Sequence, residues 1–239
     1  MRHDLSWKAA TKCFAVGLLV FGLTIGLAAV FGAVPITQLD GTWVNPVGGA
    51  NVSISNGPDP RTIRWGNPNP ALGSGYDWSP RATAFNAPTD GSAFSLGTFN
   101  HHNFVIPNGS AITGVDLNFS MTVNGLPIPT IAGLINFNHN ETPNGSVPGG
   151  VPDIVTISSP LIDMNVPFDF SGTQYNFTLL GFSQNGGVTI DTQFITAENA
   201  DNIAQLYGRI TAVPEPTTML LVGSGLIGLA GFVRRRFKK

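Results

Sequence analysis

Residues 112–123 read Ile-Thr-Gly-Val-Asp-Leu-Asn-Phe-Ser-Met-Thr-Val, and this order decides the fold class. Val115, Leu117, Phe119, Met121 and Val123 fall on one side of a two-residue repeat. Asp116, Asn118, Ser120 and Thr122 fall on the other. Only a strand with one buried and one wetted face makes sense of that alternation. Residues 161–170 repeat it, with Ile162, Met164, Val166, Phe168 and Phe170 alternating with Asp163, Asn165 and Asp169. Pro167 interrupts this run, which places it at a sheet edge or breaks it there, because proline cannot donate to a ladder. Further on, Tyr175, Phe177 and Leu179 share one parity, which slips at Leu180 to Phe182 and predicts a bulge near Leu179-Leu180. Val188, Ile190 and Phe194 predict another strand, followed by one over 205–211. Asn-Gly pairs begin at Asn56, Asn108, Asn124, Asn144 and Asn185, several of them between strand runs, as loop turns should be. No stretch between the termini has a helical period. The expected fold is all-β: a single β-sandwich, jelly-roll-like, over residues 36–212.

Composition agrees. The chain has 239 residues, 29 of them Gly and 18 Pro, a load that opposes a mostly helical protein. Charged residues make up 11%, under half the roughly 25% of an average soluble domain. The net charge of −2 conceals a sharp asymmetry. The middle holds only Arg61, Arg64, Arg81 and Arg209 against nearly all the carboxylates, while both ends are basic. An acidic body repels phosphate backbones, so no nucleic-acid partner is expected.

The ends read as membrane segments. Lys8 and Lys12 precede the uncharged run Cys13 to Ala33, with small residues at Ala28, Ala29, Gly32 and Ala33. That is the pattern of a signal-peptide helix over 1–33, cleaved near its end. Cys13, the one cysteine, leaves with it, so the mature chain can form no internal disulfide. This favours a bacterial exterior over an animal secretory pathway. The Asn-x-Ser/Thr triplets beginning at Asn51, Asn108, Asn118, Asn140, Asn144 and Asn176 are then chance matches in an Asn-rich chain.

At the other end, Thr217 to Val233 is uncharged and near the lower limit of about 17–20 residues for a spanning helix. Arg234, Arg235 and Arg236 follow at once and can snorkel to lipid headgroups. The positive-inside rule puts both basic ends in the cytoplasm and the acidic middle outside. Pro214-Glu215-Pro216 stands before the apolar run. The tail 213–239, with its transmembrane helix at 217–233, closely resembles the PEP-CTERM sorting signal. The resemblance implies recognition by an exosortase, a membrane enzyme of bacteria that make exopolysaccharide. Membrane lipid and exopolysaccharide are the other partners it suggests.

The body resembles the THxN family of PEP-CTERM proteins, exported domains without assigned chemistry. The matching pieces include Gly41-Thr42-Trp43, Ile63 to Pro68, Ser74 to Trp78, Leu96 to Phe104, Glu141 to Asn144, Asp153 to Ile157 and Leu206 to Thr211. The family's signature Thr is Asn100 here, so a role needing that hydroxyl does not carry over.

Candidate chemistry is sparse. Neighbouring strand residues point to opposite faces, so His101 and His102 cannot easily chelate one ion. His139 could join one of them, with a third ligand only from Glu141 or a distant Asp. The expectation is structural: His101 or His102, with Asn103, fixes a loop by hydrogen bonds. Glu141 and Asp153 are the pair a glycosidase would need, but nothing sets their separation. No metal or cofactor is expected. Calcium is the one ion that loop residues such as Asp59, Asp77, Asp90, Asn138, Asn140 and Asn144 leave open, without a recognisable binding loop. Trp43, Trp65, Tyr76 and Trp78 would stack on sugars if exposed, and are otherwise core anchors. With His101, His102 and Asn103, the trio Trp65, Tyr76 and Trp78 is the candidate ligand surface. No nucleophile elbow, zinc-protease motif or phosphate loop is present. The reading is a non-catalytic, exported cell-surface or matrix protein. A glycan-binding or adhesive module is the runner-up, and a secreted hydrolase comes third.

Overall fold

A computed structural model describes residues 32–128, 130–142, 150–158, 166–213 and 223–228. Two antiparallel sheets carry almost all of it. One comprises β1 (Ala33–Gly48), β5 (Phe85–Pro88), β7 (Ile112–Val123), β8 (Ile131–Asn140), β9 (Asp153–Ile157) and β12 (Gln193–Thr196), in the order β12-β9-β8-β7-β1-β5. The other comprises β2 (Ser53–Ser55), β3 (Arg61–Trp65), β4 (Ser74–Pro80), β6 (Asp90–Asn103), β10 (Val166–Phe170), β11 (Thr173–Ser183) and β13 (Ala200–Ala212), in the order β10-β11-β13-β6-β4-β3-β2. Their inner faces share one apolar core, a β-sandwich-like arrangement. A short 3-10 turn, Pro70–Leu72, capped by Asn69, interrupts the strands.

β7 sits inside its sheet, between β1 and β8. Val115, Leu117, Phe119, Met121 and Val123 are all buried, as the alternation requires. The predicted bulge is present: pairing between β11 and β13 slips between Leu179 and Gly181. β10, with Pro167, is an edge strand, one of the two outcomes expected there; residues 161–165 of the predicted run lie outside the described residues. The other edges are short too: β2 has 3 residues, β12 has 4, and the 4-residue β5 ends in Pro88.

One predicted strand is wrong. Val188 is 85% exposed, and 184–192 forms turns instead. Ser183 Oγ accepts the Gly187 N–H at 2.9 Å, and Asn185 Oδ1 accepts the Thr189 N–H at 2.9 Å. Such side-chain acceptors compete with a ladder. Gly186 and Gly187 adopt the left-handed region. Only Phe194 of the predicted trio lies in a strand. The signal-peptide boundary also meets structure. β1 begins at Ala33, Val34 is buried, and Thr89 Oγ1 donates to the Gly32 carbonyl at 2.7 Å. Residues 1–31, Pro214-Glu215-Pro216 and the arginine cluster lie outside the described residues. Within the predicted helix 217–233, residues 223–228 are described and are helical. Among the described residues no helix is long and apolar enough to cross a membrane.

Aromatic rings from both sheets interleave in the core. Phe99 of β6 stacks on Phe137 of β8, centroids 5.2 Å apart at 21°. It also meets Trp43, Tyr76, Phe182 and Phe194 within 6.2 Å. Trp78 fits because both neighbours lack side chains: a Cβ on Gly41 would lie 2.8 Å from its Nε1, and one on Gly97 2.7 Å from its Cη2. Phe99→Ala should therefore lower the unfolding free energy by about 3–5 kcal/mol in urea titration. Val188→Ala should change it by less than about 0.5 kcal/mol.

Candidate functional site

The segment Asn100-His101-His102-Asn103 ends β6, and alternation splits it. His101 and Asn103 turn inward and are buried, while Asn100 and His102 face outward. The outward side is an ion-pair chain across neighbouring strands. Arg64 Nη2 lies 2.7 Å from Asp77 Oδ1, and His102 Nε2 lies 2.7 Å from Asp77 Oδ2. His102 Nδ1 pairs with Asp201. Burial pushes the Asp77 carboxyl up, but the hydrogen bond from His102 and the Arg64 charge outweigh it, leaving the pKa below its usual value.

The inward side is a polar pocket at one end of the aromatic core. His101 and His139 meet edge to face, centroids 5.2 Å apart at 89°. Trp65 and Tyr76 pack against both. His139 Nδ1 is 2.6 Å from the Tyr76 hydroxyl, and its Nε2 is 3.2 Å from Glu141 Oε2 and 3.9 Å from Asp153 Oδ2. Asp153 Oδ1 accepts the Thr142 N–H at 2.8 Å. Thr196 ties the floor together. Its Oγ1 lies 2.9 Å from His101 Nδ1 and donates to the Asp153 carbonyl at 3.3 Å, and its own carbonyl accepts from Asn103 Nδ2 at 3.2 Å. Glu198 completes the group, its stem close against Gly150.

Electrostatics follow from this crowding. Burial, then the neighbouring His139 and His102, hold the His101 pKa well below normal, so the ring is neutral. Burial, aided by Glu141, pushes Asp153 up to about 6 against the hydrogen bonds from Thr142. Burial, then Asp153 and Glu141, push Glu198 up to about 7. Burial, with the same two acids, keeps Tyr76 a neutral phenol. One ligand-capable atom from each of His101, His139 and Asp153 falls within 4.8 Å of the others, and the same holds for Glu141, Asp153 and Glu198.

The sequence-based ligand surface needs correction. Trp65, Tyr76 and Trp78 have no exposed surface: the face they share is the inner one, turned to the core. They alternate inward on β3 and β4, where their area stabilises the core far more than it could a wetted patch. His101 and Asn103 hydrogen-bond to Thr196, the last residue of strand β12, where the sequence leads one to expect a loop. The sequence offers His139 beside one of the paired histidines with Glu141 or a distant Asp as a third ligand; it does not single out Asp153 as that Asp, and Glu198 and Thr196 carry no signal there. Of the loop residues named for calcium, Asp59 and Asp77 are engaged by Arg61 and Arg64.

The outward chain makes a pH prediction. A carboxyl with a lowered folded-state pKa adds stability above its unfolded value, and that stability is lost as pH falls through the folded one. Asp77→Asn should destabilise the protein by about 1–2 kcal/mol at pH 7. It should also flatten the fall in thermal midpoint below about pH 4, measured by circular dichroism.

Residues 212–236 match the PEP-CTERM protein-sorting motif. The match marks an exported protein that an exosortase sorts to the cell surface. No curated protein matches the chain, and nothing in these comparisons supports the likeness of the body to the THxN family.

Proposed function

We propose that this chain is a non-catalytic cell-surface or extracellular-matrix protein of an exopolysaccharide-producing bacterium. The observation that carries the reading is the sorting motif over 212–236. A cleaved signal peptide over 1–33 starts export, the β-domain crosses to the outside, and the helix 217–233 holds it in the inner membrane. Arg234, Arg235 and Arg236 anchor the cytoplasmic end. Exosortase then cuts the tail, and the domain joins the surface or matrix. The body belongs to this reading as a THxN-like domain.

The end of β13 supports the handover. The Val213 N–H donates to the Gln174 carbonyl at 2.8 Å, and Pro214 comes next. A proline there cannot donate to a ladder, so the motif, which starts at the last residue of β13, runs straight into a residue that cannot extend the donor pattern. The burial of Trp65, Tyr76 and Trp78 leaves the glycan-binding alternative without its aromatic platform. The hydrolase alternative has carboxylates that meet, but Asp153 has no exposed surface.

Intact-mass measurement on the native host's protein tests the proposal. The mature form should have lost the apolar run and Lys239 and left the inner membrane. Glu215→Ala should accumulate the longer, membrane-bound form. Finding Lys239 still attached on the bulk of mature chains, with an active exosortase in the cell, would make the tail a permanent anchor instead.

A further inference from the structure

We infer that His101, His139 and Asp153, completed by Glu141 or Glu198, form a binding site for one divalent transition-metal cation, with zinc the expected occupant. The donors come from separate parts of the fold: His101 from β6 in one sheet, His139 and Asp153 from β8 and β9 in the other. Glu141 and Glu198 approach from the chain just after β8 and just after β12.

Two unsatisfied atoms point to a missing partner. His101 Nε2 and Asp153 Oδ2 are buried and have no hydrogen-bond partner. Leaving such atoms unpaired in a closed interior forfeits the hydrogen bonds they made in water. Both belong to residues of the three-residue group whose ligand atoms lie within 4.8 Å of one another. A single cation would satisfy both.

The surroundings prepare the histidines as ligands. With the Thr196 Oγ1 proton directed at the Asp153 carbonyl, 3.3 Å away, His101 Nδ1 becomes the donor to Thr196 at 2.9 Å. That fixes the proton on Nδ1 and leaves the lone pair on Nε2, the atom without a partner. A hydrogen bond from the far ring nitrogen is how metal-bound histidines are usually oriented. His139 presents its Nε2 to Glu141 and Asp153, with the Tyr76 hydroxyl 2.6 Å from its Nδ1, so a metal would take the Nε2 position and leave the Nδ1 proton to the Tyr76 oxygen. Trp65 packs on both rings and keeps them from turning away.

Donor type selects the ion. Calcium and magnesium favour all-oxygen sites, whereas two imidazoles with carboxylates suit zinc and its neighbours. Two ionised carboxylates would neutralise the ion's charge. A cavity of about 310 Å³, lined by Val105, Asn108, Glu141 and Thr142 among others, shares Glu141 with the cluster. With four protein donors the site is closed, which is the structural form of a zinc centre. The ion would then join the two sheets in a chain whose single cysteine, Cys13, allows no internal disulfide.

The test uses the full chain in mild detergent, incubated with zinc sulfate, dialysed, and measured by elemental analysis and competition against a chelator. About one zinc per chain is expected. His101→Gln and Asp153→Asn should each weaken binding by more than about 100-fold, and Thr196→Val, which removes only the supporting hydroxyl, by about 10- to 100-fold. His102→Gln, on the opposite face of the same strand, should keep its zinc. In the unaltered chain, X-ray absorption should show two imidazole nitrogens on the metal, a readout that stands if a variant fails to fold. Less than about a tenth of an equivalent of zinc, unchanged affinity in both His101→Gln and Asp153→Asn, equal loss in His102→Gln, or an all-oxygen shell would each overturn the inference.

Discussion

Phe99 and Phe137 stack across the gap between the two sheets, and the rest of the core is arranged around that contact. Each ring brings its own strand, β6 or β8, to a fixed height over the other sheet. Because side chains alternate along a strand, fixing Phe99 and Phe137 inward also fixes His101 and His139 inward, two residues further along each. The polar pocket is thus a continuation of the aromatic core, built by the same register. A slip of one residue in β6 would exchange His101 for His102 and destroy both the inward pocket and the outward ion-pair chain.

That dependence explains what could be read from the chain and what could not. The β7 alternation, the bulge in β11 and the edge position of β10 are local patterns, visible in a few consecutive residues. The failed strand near Val188 is also local, but its turn is decided by Ser183 and Asn185 side chains taking backbone partners, which apolar spacing does not report. The rings of Trp65, Tyr76 and Trp78 carry no mark of whether their face is wet or dry. Whole-sheet pairing decides that.

The pocket lies between these extremes. Strand alternation alone showed that His101 and His102 cannot act together. The convergence of His101 with His139 and Asp153 requires β6 to face β8 and β9 across the core, which no spacing rule predicts. Thr196 and Glu198 are ordinary residues in sequence. They gain meaning only because β12 pairs beside β9 and brings Thr196 under His101. Sequence reading finds the donors more readily than the residues that aim them.

The short and proline-bearing sheet margins have a consequence for life in a crowded layer. A protein sorted to the cell surface can meet copies of itself there. Open strand margins would then zip chains together edge to edge, without limit. β2 and β12 offer too few rungs to template such growth, while Pro88 and Pro167 remove donors from β5 and β10. Among the described residues, the sheet margins therefore offer neighbouring copies little backbone for edge-to-edge pairing, and favour contacts made by side chains.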